Sequence, residues 1–206
     1  MTKTESGTLF VVSAPSGAGK TSLITALVAH VQHLSVSLSY TTRPKRPAEV
    51  DGVHYRFVDQ AAFEKFIEQD ELVEYARVFD HYYGTSKVWI EEHLEKGEDI
   101  LLEIDWQGAR QIRKLFKNSL SIFILPPSQE VLHQRLSDRN QDHPEVIANR
   151  MKAASDEISH YHEFDYLVVN EDFNRALEEM RAIIISERLK ITRQTVSHQA
   201  LIESLL

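Results

Sequence analysis

The sequence predicts an α/β fold: a parallel central sheet covered by helices on both faces, with an inserted α+β segment and a helical arm. Three observations carry this expectation. Short apolar runs without polar alternation recur along the chain, as in strands buried on both faces. Segments with apolar residues at helical spacing separate them, which is the rhythm of strand–helix–strand units. A loop of small residues ending in Gly19-Lys20-Thr21 joins the first such strand to the first such helix.

The elements follow in order. Thr8–Ser13 (TLFVVS) is the first buried run, and it ends in the small-residue segment from Ala14 to Gly19. Thr21–Val31 then places Leu23, Ile24, Leu27, Val28 and Val31 on one helical face. Further strands are expected at Asp99–Asp105, Leu120–Leu125 and Tyr166–Asn170. Helices are expected at Ser86–Lys96, Trp106–Lys117, Ser128–Met151 and from Asn174 into the 190s. Residues 36–85 break the rhythm. They are rich in Tyr, Thr and Arg, contain Pro44, Pro47 and Gly52, and alternate in VHYRFV (53–58), so an inserted, partly antiparallel subdomain is expected there. The single domain thus divides into a core (8–35, 86–125 and 166–206), the insert (36–85) and a polar helical arm (126–165). No internal repeat or low-complexity tract is seen.

Composition limits what such a chain does. With 206 residues, 42% of them hydrophobic, there is enough material for one solid core. The net charge of −8 and a pI near 5.7 argue against non-specific nucleic-acid binding, which needs a basic surface. Any phosphate must therefore be held by a local cluster of cations. The absence of Cys excludes disulfides, thiolate metal sites and a Cys nucleophile. No segment reads as a signal peptide or reaches transmembrane length, so a cytoplasmic protein with no membrane partner is expected. His160 and His162 lack a second ligand pair at suitable spacing, and no structural metal is expected. Trp89 and Trp106 are read as packing residues.

The segment Ala14-Pro15-Ser16-Gly17-Ala18-Gly19-Lys20-Thr21 fits the phosphate-loop pattern G-x-x-x-x-G-K-S/T at all positions but the first, where Ala14 replaces Gly. Small residues allow consecutive backbone N–H groups to turn toward a polyphosphate, and the helix N-terminus adds partial positive charge. Lys20 would bridge the outer phosphates of a nucleotide such as ATP, and Thr21 would offer its hydroxyl to Mg²⁺, with Asp105 as a second candidate ligand. Asp105-Trp106-Gln107-Gly108 mimics a GTPase D-x-x-G, but no N-K-x-D base-reading sequence follows.

Two further cationic groups stand out. Arg43 and Arg46 lie three apart in a segment stiffened by Pro44 and Pro47, an arrangement suited to phosphate oxygens. In the arm, Arg135 and Arg139 share a helix face. Asp142 and Glu145 read as the N-cap and third position of a capping box, which starts a second helix carrying Arg150. Two helices would then bring three guanidinium groups to one point, as the spreading charge of a phosphoryl transfer requires.

In order after the phosphate loop come Ser39-Tyr40-Thr41-Thr42-Arg43-Pro44-Lys45-Arg46, Gly52-Val53-His54-Tyr55, Glu74, Tyr82-Tyr83-Gly84-Thr85 and Glu103-Ile104-Asp105-Trp106-Gln107-Gly108. This set closely resembles the guanylate kinase family over almost the whole chain. S-x-T-T-R-x-x-R, Y-Y-G-T and E/D-I-D-x-Q-G are its most specific parts. The resemblance implies a P-loop three-layer fold with a GMP-binding insert and a helical lid, and Mg²⁺-dependent transfer from ATP to GMP and by extension dGMP. Lys20, Arg43, Arg46, Arg135, Arg139 and Arg150 would be its catalytic cations. Arg43, Arg46, Tyr55 and Tyr83 would hold the GMP phosphate, and Ser39, Glu74, Thr85 and Asp105 would line the guanine pocket. The family often has Asp where this chain has Glu103. One carboxylate can accept both the N1–H and the amino group of guanine, whereas N1 of adenine is an acceptor and repels it. Local sequence alone leaves Glu71 as a rival to Glu74; the resemblance selects Glu74. A catalytically silent module binding a phosphopeptide, and a kinase for another small acceptor, remain as alternatives, and self-association stays open.

Overall fold

The computed structural model describes residues 6–78, 80–138 and 144–206. In chain order the elements are β1 (Leu9–Ser13), α1 (Lys20–His30), β2 (Leu34–Val36), β3 (Ser39–Thr41), β4 (Arg56–Phe57), α2 (Gln60–Glu68), β5 (Leu72–Val78), β6 (His81–Ser86), α3 (Lys87–Glu95), β7 (Asp99–Glu103), α4 (Trp106–Leu115), β8 (Leu120–Leu125), α5 (Gln129–Ser137), α6 (Pro144–Ser159), β9 (Tyr166–Val169), α7 (Phe173–Arg188), α8 (Ile191–Ser197) and α9 (Gln199–Leu205). A 3-10 turn, Tyr161–Glu163, precedes β9.

All five residues of β1, four apolar and Ser13, are buried, and the strand sits at the centre of a parallel sheet ordered β2-β7-β1-β8-β9. Strand alternation divides β1 between two cores. Phe10 and Val12 pack with Leu23, Ile24 and Leu27 of α1 and with Met180 and Ile184 of α7. Leu9 and Val11 pack with Ile90 of α3 and with Ala109 and Ile112 of α4. Because β1 pairs with β7 on one side and β8 on the other, the chain connections diverge beyond its C-terminal end. That is where ligand crevices form in such sheets, and the Ala14–Thr21 loop lies there.

A second sheet, ordered β4-β3-β6-β5, is built from residues 39–86. Its β3–β6 and β5–β6 pairs are antiparallel and its β3–β4 pair is parallel. Phe63 of α2 is fully buried beneath it and stacks on Tyr82 at 5.3 Å between ring centroids. The register places Ser39 opposite Thr85, and Thr85 opposite Glu74, so three polar side chains share one row across three strands.

The structure departs from the sequence expectations at identifiable points. Leu34–Val36 is an extra edge strand, too short to show a pattern. Of VHYRFV only Arg56–Phe57 is strand, since Asp51 and Gly52 tie the preceding residues into turns. β7 stops at Glu103 because Asp105 is already the N-cap of α4. The helical stretch expected over Ser128–Met151 is two helices, α5 and α6, in keeping with the second helix expected to carry Arg150, and α6 runs on past Met151 to Ser159; the Asp142–Glu145 cap lies outside the described side chains. The final helix breaks after Arg188. Arg188 and Arg193 both bind the buried Asp99, at 2.7 and 3.0 Å. In one continuous helix they would point about 140° apart, so the chain must turn between them to bring both to one carboxylate.

Candidate active site

The phosphate loop takes its shape from two glycines. Gly17 and Gly19 both have φ of 91°, and a Cβ on Gly19 would lie 2.4 Å from the Asn170 amide nitrogen. Among the described residues the non-glycine positive-φ positions are His33, Asp70 and Asp80. Ala14 is not one of them, so it replaces the first glycine of the pattern without backbone strain. The loop is braced from outside. Asn170 Nδ2 donates to the Ala18 carbonyl at 2.7 Å, and Arg135 donates to the carbonyls of Ala18 (3.4 Å) and Asn170 (3.1 Å). Lys20 Nζ donates to the Ile104 carbonyl at 3.4 Å, which holds the ammonium over the end of β7. The Thr21 hydroxyl donates to Glu103 at 2.5 Å. From α6, Glu157 accepts the Ser16 N–H at 3.2 Å. Burial raises the Glu157 carboxyl above the usual range, and Lys20 pulls against that rise.

A cleft of about 260 Å³ runs from this loop to the second sheet. At its far end Glu74 is only 2% exposed. Thr85 donates to Glu74 at 2.6 Å, and since the Thr85 hydrogen is thereby committed, Ser39 supplies the one in the 3.3 Å Ser39–Thr85 contact. Burial pushes the Glu74 carboxyl up to about 7; the Thr85 hydrogen bond opposes the rise and the Asp105 charge adds to it. Glu71 is exposed and is bonded through its backbone, to the Phe66 carbonyl and the Lys87 N–H, so the cleft is lined by Glu74 and not its rival. Tyr55 and Tyr83 line the middle of the cleft with ring centroids 6.0 Å apart. Burial, with Glu103 and Tyr83 adding, lifts the Tyr55 hydroxyl to about 12, so it stays a donor at neutral pH.

Most of the residues singled out in the sequence meet in this cleft. Ala14, Pro15, Ser16, Gly17, Gly19, Lys20, Thr21, Ser39, Arg46, Tyr55, Glu74, Tyr83, Asp105 and Arg150 line it. Ala18 and Thr85 are buried behind it and act through their neighbours. Arg43 does not line it. Its guanidinium bonds Glu49 at 2.6 Å and the Pro44 carbonyl at 2.8 Å, and lies 5.6 Å from the Tyr55 ring centroid. Arg135 sits behind the loop rather than in the cleft, and Arg139 lies outside the described residues. Asp105 faces Glu74 and caps α4 through the Gly108 N–H at 2.9 Å; Glu103, not Asp105, is bonded to Thr21. Trp106 stacks on His160 at 3.7 Å, and His160 Nδ1 lies 2.8 Å from Glu163. Trp89 stacks on His93.

A family model for guanylate kinase matches residues 6–187. The guanylate kinase of Methylococcus capsulatus is 58% identical over 97% of this chain and 98% of its own length. That of Saccharophagus degradans is 53% identical, over 98% and 99%. The chain belongs to the guanylate kinase family. Its fold matches a crystal structure of guanylate kinase from Anaplasma phagocytophilum with a TM-score of 0.78 at 33% identity, covering 92% of this chain and 90% of that one.

In this member of the guanylate kinase family, four site residues carried no local sequence signal. Asn170 is the last residue of an apolar run. Glu49 lies in a charged loop, and its carboxylate joins Arg43 to the Arg46 N–H at 2.8 Å. Glu157 is one of several acids on α6. Gln111 on α4 grips the backbone of Tyr75. Asn170, Glu157 and Gln111 act on partners distant in sequence, and Glu49 acts through a loop turn, neither of which periodicity reveals.

Proposed function

We propose that the protein transfers the terminal phosphoryl group of ATP to GMP, giving ADP and GDP, with dGMP as a second acceptor. The observation that carries this reading is one cleft with an N–H-rich loop and Lys20 at one end and the buried Glu74–Thr85–Ser39 row at the other. The loop suits the phosphates of ATP. The row suits guanine, whose N1–H and amino donors match a carboxylate that adenine would leave unpaired. Arg46, Tyr55 and Tyr83 lie between them, where the GMP phosphate would sit, with Arg43 held beside them by Glu49.

In the step itself an oxygen of the GMP phosphate attacks the γ-phosphorus of ATP. The bond from that phosphorus to the β,γ-bridging oxygen breaks, and its electrons leave with ADP. No general base is required, because a phosphate monoester with a second pKa near 6 is largely dianionic at neutral pH. The protein instead offsets negative charge and aligns the two ends. Lys20 and Arg150 border the cleft, and Arg135 stiffens the loop through two carbonyls. Residues 36–85 are taken as the GMP-binding arm and 126–165, with Arg139, as a lid whose closure excludes water. The Thr21 hydroxyl and Glu103 carboxylate are adjacent hard oxygen ligands beside the loop, a set that fits Mg²⁺ when phosphate oxygens and water complete the shell. Bound there, the ion would neutralise charge on the outer phosphates. Among the described residues no helix is long and apolar enough to cross a membrane; the cysteine-free sequence suits the reducing cytoplasm, where we place the protein.

A coupled assay of ADP release with ATP, Mg²⁺ and a panel of GMP, dGMP, IMP, AMP, CMP and UMP tests the reading. Release that depends on GMP and dGMP and is weak with the rest is expected. Release with no monophosphate dependence, or with AMP preferred, contradicts it.

A further inference from the structure

Glu74 lies on β5, an edge strand of the second sheet. An edge strand leaves one row of backbone N–H and C=O groups unpaired. Here that row meets α4, the helix that begins at the Asp105 cap on the central sheet. Gln111 meets it with a two-pronged amide: its Oε1 accepts the Tyr75 N–H at 3.0 Å, and its Nε2 donates to the Tyr75 carbonyl at 2.6 Å. The side chain thus replaces a neighbouring strand at one residue, the one directly after Glu74.

One helical turn back, on the same face of α4, stands Gly108. A Cβ there would lie 2.6 Å from Glu74 Oε2, 3.3 Å from its Cδ and 3.2 Å from Ile104 Cδ1. Gly108 has no positive φ that would demand glycine. In a helical position glycine is disfavoured against alanine by about 0.5–1 kcal/mol. Local backbone physics therefore gives no reason for glycine here, whereas the approach of the Glu74 carboxylate does. The nearest atom is the far end of a flexible side chain, so an added methyl would move the carboxylate and leave the helix in place.

We infer that Gly108 and Gln111 are positioning residues for base selection: Gln111 fixes the strand that carries Glu74, and Gly108 leaves the space in which its carboxylate rests against α4. This rests on the reading of Glu74 as the guanine-binding group. It also ties the base pocket to the same helix whose cap, Asp105, lines the cleft.

The test is steady-state kinetics of Gly108→Ala, Gln111→Ala and, in parallel, Glu74→Gln, with GMP, IMP and AMP as acceptors, together with thermal unfolding of each. IMP lacks the 2-amino group and so reports one of the two donors. For Gly108→Ala a rise in KM for GMP of about tenfold is expected, the size of one displaced charge-assisted hydrogen bond. The GMP-over-IMP preference should narrow, with KM for ATP within about twofold and Tm not lowered, since alanine favours the helix. Gln111→Ala should shift the same parameters in the same direction. Unchanged GMP-over-IMP preference in both variants, while Glu74→Gln loses it, overturns the inference and leaves the reading of Glu74 standing. Equal changes in both KM values with a lowered Tm show a merely structural role and overturn it too. If Glu74→Gln itself keeps the parent preference, the base-reading assignment fails and the inference falls with it.

Discussion

Glu74 is placed where it costs stability, and Glu74→Gln measures that cost. The unfolded chain holds this carboxyl near 4.5, and burial in the folded protein raises it to about 7. The folded state therefore binds the extra proton between those values, and stability falls as pH rises through 7. The full difference corresponds to about 3 kcal/mol of destabilisation once both states are ionised, an order-of-magnitude figure. Glutamine can keep a contact to Thr85 without the charge, so Glu74→Gln should be more stable than the parent at pH 8, by up to about 3 kcal/mol. The gap should shrink as pH falls below 7 and largely close near pH 4.5. The same substitution should weaken GMP use. Urea denaturation followed by circular dichroism at pH 5, 6, 7 and 8 gives the two curves. A variant no more stable than the parent at pH 8, or a gap that does not change with pH, would refute the reasoning that a desolvated carboxylate stands at the end of the cleft.

The other predictions concern separate parts of the molecule. Asp99 is 1% exposed and accepts from the Thr8 N–H, Arg188 and Arg193, so Asp99→Ala leaves two guanidinium groups and an amide without it and should cost about 3–5 kcal/mol in chemical denaturation. Loss of less than about 1 kcal/mol would show that the tail is not stapled through this residue. Gly19→Ala must place a methyl at φ 91° and 2.4 Å from the Asn170 amide; loss of ATP binding by calorimetry is expected, and parent-like affinity would contradict the described loop. Lys20→Met should lower kcat by about 10³-fold or more while the unfolding transition moves little, since the ammonium's hydrogen bond to the Ile104 carbonyl is long, at 3.4 Å, and its pull on Glu157 is through charge alone. Arg135→Ala should raise KM for ATP more than KM for GMP, because this arginine braces the phosphate loop from behind; the reverse order would return it to the cleft.

The parallel sheet was legible because burial on both faces leaves unbroken apolar runs, and LFVVS, DILLE and LSIFIL are such runs. The phosphate loop was legible because Gly17, Gly19 and Lys20 are required by backbone geometry and charge rather than by distant contacts. Short pieces were not. Leu34–Val36 and Arg56–Phe57 are strands only because β7 and β3 offer them backbone partners. The break after Arg188 depends on Asp99, far away in sequence. In the site, residue types pointed to Arg43 and Arg135 as phosphate cations. Their partners Glu49, Ala18 and Asn170 are what hold them out of the cleft lining, and no spacing rule names those partners. Asp105 and Glu103 exchanged emphasis for the same reason: a carboxylate beside a helix start caps it, while the one two residues earlier is left facing Thr21.

Whether one cleft brings a phosphoryl donor and GMP into reaction is tested most directly by following the group that moves. The purified protein is incubated with Mg²⁺, GMP and ATP labelled with ³²P at the γ position, and the products are separated by chromatography. The label is predicted to appear in GDP, at a rate that depends on GMP, with little released as inorganic phosphate. Label found only in inorganic phosphate, or retained in ATP while GMP is present, would contradict the account.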